Sequence, residues 1–186
     1  MGLNLAVPWD IFFGRLLANS KGNLAHTLPE WLNTWYELET LSAFANFAHL
    51  NPQYTFPIIK ADTMLYGEQL GHPLIPVGEK VSNDFTMDEL GEAVIITGSN
   101  MAGKSSFLRT IGVNLRLAYC GSVVDAKSLE IGLFRVFTCI KVSDSVVDGF
   151  SYFYAEVRRL KALLASLHDA DDNMPQFFLI DEIFRG

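Results

Sequence analysis

Lysine and arginine nowhere cluster in this sequence, and acidic residues outnumber basic ones, 21 to 14, for a net charge of −7. Binding a phosphate backbone needs clustered cations, so the chain is a poor candidate for an independent nucleic-acid binder. Cysteine is scarce. Cys120 and Cys139 stand alone in apolar surroundings and read as buried free thiols, which excludes a disulfide framework. No Cys or His group has zinc-ligand spacing, and His26, His49, His72 and His168 are scattered, so no metal cluster is expected. No apolar run reaches the ~18 residues that suggest a membrane span. The nearest, residues 3–17, is interrupted by Asp10 and Arg15 and has no basic leader. It fits a buried or interfacial helix better than a signal peptide or a span, so a membrane link is unsupported and a cytoplasmic location is expected.

What is present is a foldable chain. Apolar residues make up 49% and charged residues 19% of its 186 positions, which excludes disorder and allows a substantial core. Two parts are expected. Residues 1–60 read as a helical segment: Trp31, Trp35, Leu38, Leu41, Phe44 and Ala48 recur at helical spacing, and Asn51-Pro52 stops the helix. That apolar face needs a partner to cover it. Residues 61–186 alternate in character. The turn-rich residues 71–78 lead to an apolar, β-branched strand at 93–97. A helix follows at 104–119, then strands at 122–124 and 134–140, a helix at 151–167 and a buried strand at 177–180. Alternating strands and helices predict an α/β sheet covered on both faces.

Residues 98–105, Gly98-Ser99-Asn100-Met101-Ala102-Gly103-Lys104-Ser105, carry two glycines followed by lysine and serine, placed between the predicted strand and helix. This is the pattern of a phosphate-binding loop. Glycines let the backbone curl so that successive N–H groups point inward, and the helix start adds further free N–H groups. Lys104 would reach the β- and γ-phosphates of ATP or ADP, and the Ser105 hydroxyl would bind Mg2+. The strand at 177–180 ends in Asp181 and Glu182. Asp181 fits the carboxylate that helps hold magnesium, and Glu182 fits the base that orients and deprotonates the attacking water.

These blocks together resemble the ATPase domain of the MutS family of DNA mismatch repair proteins. Residues 97–106, TGSNMAGKSS, resemble that family's TGPNMGGKST; residues 181–186, DEIFRG, resemble its DEIGRG; and residues 149–156, GFSYFYAE, resemble its GRSTFMVE. Gly71-His72-Pro73 resembles the family's GRHP, and Val81-Ser82-Asn83-Asp84 its nucleotide-side loop. The resemblance covers about residues 35–186 and implies an ABC-like phosphate-loop NTPase, preceded by the end of a helical core. It implies a head-to-tail homodimer with composite sites, and DNA bound by regions outside this chain. Asn100 would arrange the γ-phosphate and water, Ser106 would complete the loop, Val81 would lie by the nucleotide, and Ser151 and Phe153 would reach the partner's ATP. Lys80 stands where bacterial mismatch repair proteins carry the aromatic residue that stacks on adenine. Ser99, Ala102 and Phe184 replace a proline and two glycines.

Family members continue past the acidic strand, so the chain reads as an incomplete, N-terminal part of the ATPase domain, with weak or absent turnover in isolation. The function expected is Mg-dependent ATP hydrolysis coupled to the binding of mismatched or structured DNA. Two alternatives remain open: a nucleotide-gated interaction or dimerisation module with little hydrolysis, and an ABC-type ATPase acting on a non-DNA cargo.

Overall fold

The computed structural model describes residues 9–61, 64–99, 102–140, 152–167 and 174–181. The chain divides into two compact units, residues 1–49 and 50–186.

In the first unit, a single helix, α1, runs Trp9–Leu50. Asp10 in its first turn complements the helix dipole. Thr34 and Thr40 donate their hydroxyls to carbonyls four residues back, at 3.0 and 2.7 Å, so neither competes with the helix from outside. Pro29 sits inside and withholds one backbone donor. The helix ends where Asn51-Pro52 was expected to end it. Most of its large apolar side chains, including Trp31, Trp35, Leu38 and Leu41, are exposed, while Phe44 and Phe47 are half-buried.

The second unit holds a mixed sheet of four strands: β1 (Ile58–Ile59), β2 (Leu65–Leu70), β3 (Asn83–Met87) and β4 (Ser128–Ile131), in the order β1-β4-β2-β3. β4 runs parallel to β1 and antiparallel to β2, and β2 is antiparallel to β3. In β2 the register slips between Gly67 and Leu70, with Gln69 at φ 51°. A period-two strand would carry Leu65, Gly67 and residue 69 on one face. The bulge instead turns Leu70 inward beside Leu65 and Gly67, and all three are buried. A Cβ on Gly67 would lie 2.7 Å from the Leu70 side chain, so the bulge requires glycine there.

Helix α2 (Lys104–Tyr119) buries Thr110, Ile111, Asn114, Leu115 and Ala118. It packs on both β2 and β6, the latter belonging to a second sheet. That sheet pairs β5 (Arg135–Cys139) with β6 (Gln176–Ile180) in parallel. Phe134 and Phe177, with ring centroids 5.7 Å apart, join its base to the core. Helix α3 (Tyr152–Leu167) contacts β5.

The mixed α/β character, α2, β5 and β6 match expectation. Two predicted strands differ. Residues 93–97 are irregular, with Ile95 85% exposed, and no strand pairs with them among the described residues. An apolar β-branched run becomes a strand only when a neighbour takes up its hydrogen bonds. Residues 122–124 contribute a single antiparallel bridge, Val124 to Thr55, because the chain turns away at Asp125 to bond Gly71. The described strands therefore form two sheets rather than one continuous sheet. Substituting Gly67→Val should cost about 1–3 kcal/mol by overpacking against the buried Leu70, read as a lowered urea midpoint.

Candidate functional site

The loop at residues 98–103 delivers the chain into α2 through Gly103, whose φ is +82°. A side chain would be strained in that conformation, so this glycine is required by the backbone. Gly98 differs: a Cβ there would meet only the Ala102 Cβ at 3.6 Å and the Lys104 stem, which are ordinary contacts. No side chain caps α2. The first intrahelical bond is Phe107 N–H to the Gly103 carbonyl, 2.8 Å, so the amides at the helix start lack a capping oxygen and favour an anion. Within the loop, Ala102 N–H donates to Ser99 O at 3.2 Å.

The Lys104 ammonium folds back over the loop. It donates to the carbonyls of Gly98 and Ser99, at 2.8 and 2.7 Å. A cation is thus tied to the loop it follows, and an anion entering the loop would meet both that charge and the helix dipole. Ser105 is half-buried and Ser106 exposed on the first turn, and the Ser106 carbonyl accepts the Thr110 hydroxyl at 2.9 Å.

Asp181 follows β6 immediately. Its N–H donates to Cys139 O at 2.9 Å, which continues the parallel ladder by one step. β6 is held against α2 at Gly112, where a Cβ would come within 3.0 Å of Leu179. The helix that follows the loop and the strand that ends at Asp181 are therefore packed together. Val81 is 78% exposed. Phe153 lies in the first turn of α3. Asn100, Met101, Ser151 and Glu182 lie outside the described residues. Among the described residues no group of three or more His, Cys, Asp or Glu is arranged to hold a metal ion.

Sequence reading missed a buried polar cluster beside α2. Lys80 donates to both Asp125 carboxylate oxygens, at 2.8 and 2.7 Å, with the two side chains only 9% and 6% exposed. Asn114 on α2 donates to Gly71 O and Thr110 O, both at 2.9 Å, and accepts the Asp125 N–H at 2.8 Å. Gly71 N–H donates to Asp125 O at 2.7 Å, and a Cβ on Gly71 would strike the Asp125 carboxylate at 2.6 Å. Lys80 also sits 5.3 Å over the Tyr54 ring. Its ammonium is thus committed to Asp125. The available signal was Asn114, a polar residue on the apolar face with Ile111, Leu115 and Ala118. Burial, reinforced by the Asp125 charge and a hydrogen bond to it, pushes the Tyr54 phenol up to about 12. Burial and the nearby Arg109 lower the His72 pKa, against the opposing pull of Asp125.

The fold and site so far define a mixed α/β protein with an anion-receptive loop at a helix start. Comparison with known proteins sharpens that class. Residues 94–186 match the family described as MutS domain V. The chain is 38% identical over 156 residues to the DNA mismatch repair protein MutS of Phocaeicola vulgatus, covering 80% of this chain and 17% of that protein. It is 31% identical over 186 residues to the protein of the same name from Fusobacterium nucleatum, covering 97% and 20%. It is 35% identical over 177 residues to that of Sorangium cellulosum, covering 92% and 18%. The chain belongs to the MutS family, and it spans about a fifth or less of the length of these curated relatives.

Two predictions follow from the cluster. Lys80→Met leaves the Asp125 carboxylate buried without its cation and should cost about 3–5 kcal/mol, measured by urea denaturation. The raised Tyr54 pKa means that the fold favours the neutral phenol. Its contribution is complete below the ordinary value of 10.0 and is lost as pH rises from there through about 12. Alkaline unfolding of Tyr54→Phe should lack that component, which a stability series across this interval would reveal.

Proposed function

We propose that this chain binds ATP with Mg2+, and that the protein containing it couples ATP hydrolysis to the binding of mismatched or structured DNA in a MutS-like dimer. One observation carries the reading: the Lys104 ammonium lies on the carbonyls of residues 98 and 99, at the uncapped helix start that Gly103 creates. The donor set suits a polyphosphate, because it combines main-chain amides, a helix N-terminus and one cation.

In this reading the amides of Gly98, Ser99, Asn100, Met101, Ala102 and Gly103 cradle the phosphates, and Ser106 supports the first turn. Lys104 exchanges its loop carbonyls for phosphate oxygens. Ser105 and Asp181 hold Mg2+, which when bound supplies charge neutralisation across the phosphates. Glu182 takes a proton from the attacking water, and Asn100 orients that water. Val81 offers an exposed aliphatic surface to the base, while Lys80 is held by Asp125 and cannot play the part of a stacking ring. Ser151 and Phe153 contact the nucleotide of the other subunit. The acidic balance of this chain suits a module whose DNA contacts lie elsewhere in the protein, and no helix among the described residues is long and apolar enough to cross a membrane. The work is therefore proposed to be cytoplasmic.

A second reading, a nucleotide-gated interaction module with little hydrolysis, draws on the unpaired residues 93–97, which leave the approach to the loop without a sheet neighbour among the described residues. Turnover separates the two. Titrating the chain with MgATP by calorimetry should show binding, and Lys104→Ala should weaken it by at least roughly tenfold through loss of a charge-assisted contact. Glu182→Gln should keep binding and, in a hydrolysing form of the protein, lose most turnover. Equal affinity in Lys104→Ala would overturn the phosphate-site assignment, and undiminished hydrolysis in Glu182→Gln would remove that carboxylate from the mechanism.

A further inference from the structure

Helix α2 fixes the second sheet at two places, and the Tyr119 hydroxyl makes one of them. It donates to Gly132 O at 2.9 Å and accepts the Phe134 N–H at 3.1 Å. Burial raises the Tyr119 pKa against the opposing pull of that N–H, so the phenol keeps the proton it donates. Gly132 and Phe134 bracket the bend where the chain leaves β4 and enters β5. Gly132 is held from its other side as well, its N–H donating to Met64 O at 3.0 Å. Phe134 is buried against Phe177, the second residue of β6. One hydroxyl at the end of α2 thus pins the base of the β5–β6 pair. The other place is Gly112, where the absence of a Cβ lets Leu179 lie close.

These two contacts give β6 its direction. From Phe177 to Leu179 along the strand, the contacts on α2 step back from Tyr119 to Gly112. The strand therefore runs against the helix, and Asp181 follows it towards the end where Lys104 and the loop stand. The parallel ladder carries this placement along. Arg135 N–H donates to Pro175 O at 2.8 Å, the register runs unbroken from Arg135–Gln176 to Cys139–Ile180, and Asp181 N–H closes on Cys139 O at 2.9 Å. From Phe134 to Cys139 the chain spans about 16 Å at ~3.3 Å per residue. A slight tilt at the base therefore shifts the far end by more than the about 0.2 Å that metal–ligand distances tolerate.

We propose, on the reading that this chain binds ATP with Mg2+, that Tyr119 is a positioning residue for the metal's carboxylate. Its hydroxyl, together with the Gly112 contact, sets where β6 ends and so where Asp181 stands relative to the loop. Tyr119 itself touches neither nucleotide nor metal. Lys104 lies about 22 Å away at the other end of α2, at ~1.5 Å per residue. Tyr119 therefore governs the metal half of the site and leaves the phosphate half alone. A merely structural tyrosine would weaken both halves together.

Calorimetry on the 186-residue chain separates the halves by comparing ATP binding in excess Mg2+ with ATP binding in EDTA. Tyr119→Phe keeps the ring and removes only the hydroxyl. It should reduce the affinity gained from Mg2+ by roughly tenfold, the low end of the loss when an outer support of a metal ligand is removed. Affinity in EDTA should stay at the wild-type value. Gly112→Ala favours the helix and presses on Leu179 instead, so it should reduce the Mg2+ gain with Tyr119 intact, and it decides the matter alone if Tyr119→Phe does not fold. Gly67→Val, which strains the other sheet, should leave the gain unchanged. In an Asp181→Asn background Tyr119→Phe should cause no further loss, because a residue acting through another is silent once that other is gone. Without nucleotide, the Phe134 and Asp181 amides of Tyr119→Phe should exchange hydrogen faster than in the wild type. An unchanged Mg2+ gain in Tyr119→Phe, an equal loss with and without Mg2+, or losses that add to those of Asp181→Asn would each overturn the proposal while leaving ATP binding in place. A wild-type chain that binds no ATP, or gains nothing from Mg2+, would instead sink the ATP-and-Mg2+ reading and the proposal with it.

Discussion

Asp125 is the point on which the second unit closes. Its main chain bonds the Gly71 turn and the side chain of Asn114, and its carboxylate takes the Lys80 ammonium. Three separated stretches of chain are thereby tied together: the end of β2, the segment that leads into β3, and the middle of α2. A buried carboxylate cannot stand without a cation, nor a buried amide without partners. The cluster therefore specifies one arrangement of these stretches where apolar contacts alone would tolerate several. Gly71 is part of the same constraint, since no Cβ fits between its backbone and the Asp125 carboxylate.

That arrangement fixes α2, and α2 positions the candidate site. The helix begins at Lys104, directly after the positive-φ Gly103, and its central Gly112 allows β6 to approach. The loop before the helix and the carboxylate after the strand are thus brought into one unit by packing of the elements that bear them. The polar cluster sits at Thr110 and Asn114, about two to three turns along the same helix from the loop. The polar cluster and the proposed nucleotide chemistry use different residues, Asn114 midway along α2 and Lys104 and Ser105 at its start. Lys80 illustrates the division: it is a fold-determining cation, where the resemblance places a base-contacting ring in bacterial relatives.

Helix α1 follows another logic. Its exposed large apolar side chains, among them Phe12, Leu16, Trp31, Tyr36 and Leu41, lie on all sides of it rather than along one stripe. Where α2 buries one face inside its own unit, α1 has no single apolar face.

Local rules were legible in the residues themselves. The limits of α2 and β6 and the end of α1 at Asn51-Pro52 follow from spacing and turn chemistry. Each is a property of a short segment. The pairing of strands was not legible. Residues 93–97 have every local feature of a strand and lack a neighbour among the described residues, while residues 122–124 yield one bridge because Asp125 is drawn to Gly71 and Asn114. Nor could spacing show that Lys80 and Asp125, far apart in the chain, would meet. The sequence by itself determined the two helices of the second unit and the strands β5 and β6, because long periodic or β-branched apolar runs carry their own signal, but it did not mark β1 to β4, which are short or mixed in polarity. Tertiary structure alone decided which segments paired and which charges were buried together, because both depend on partners distant in the chain.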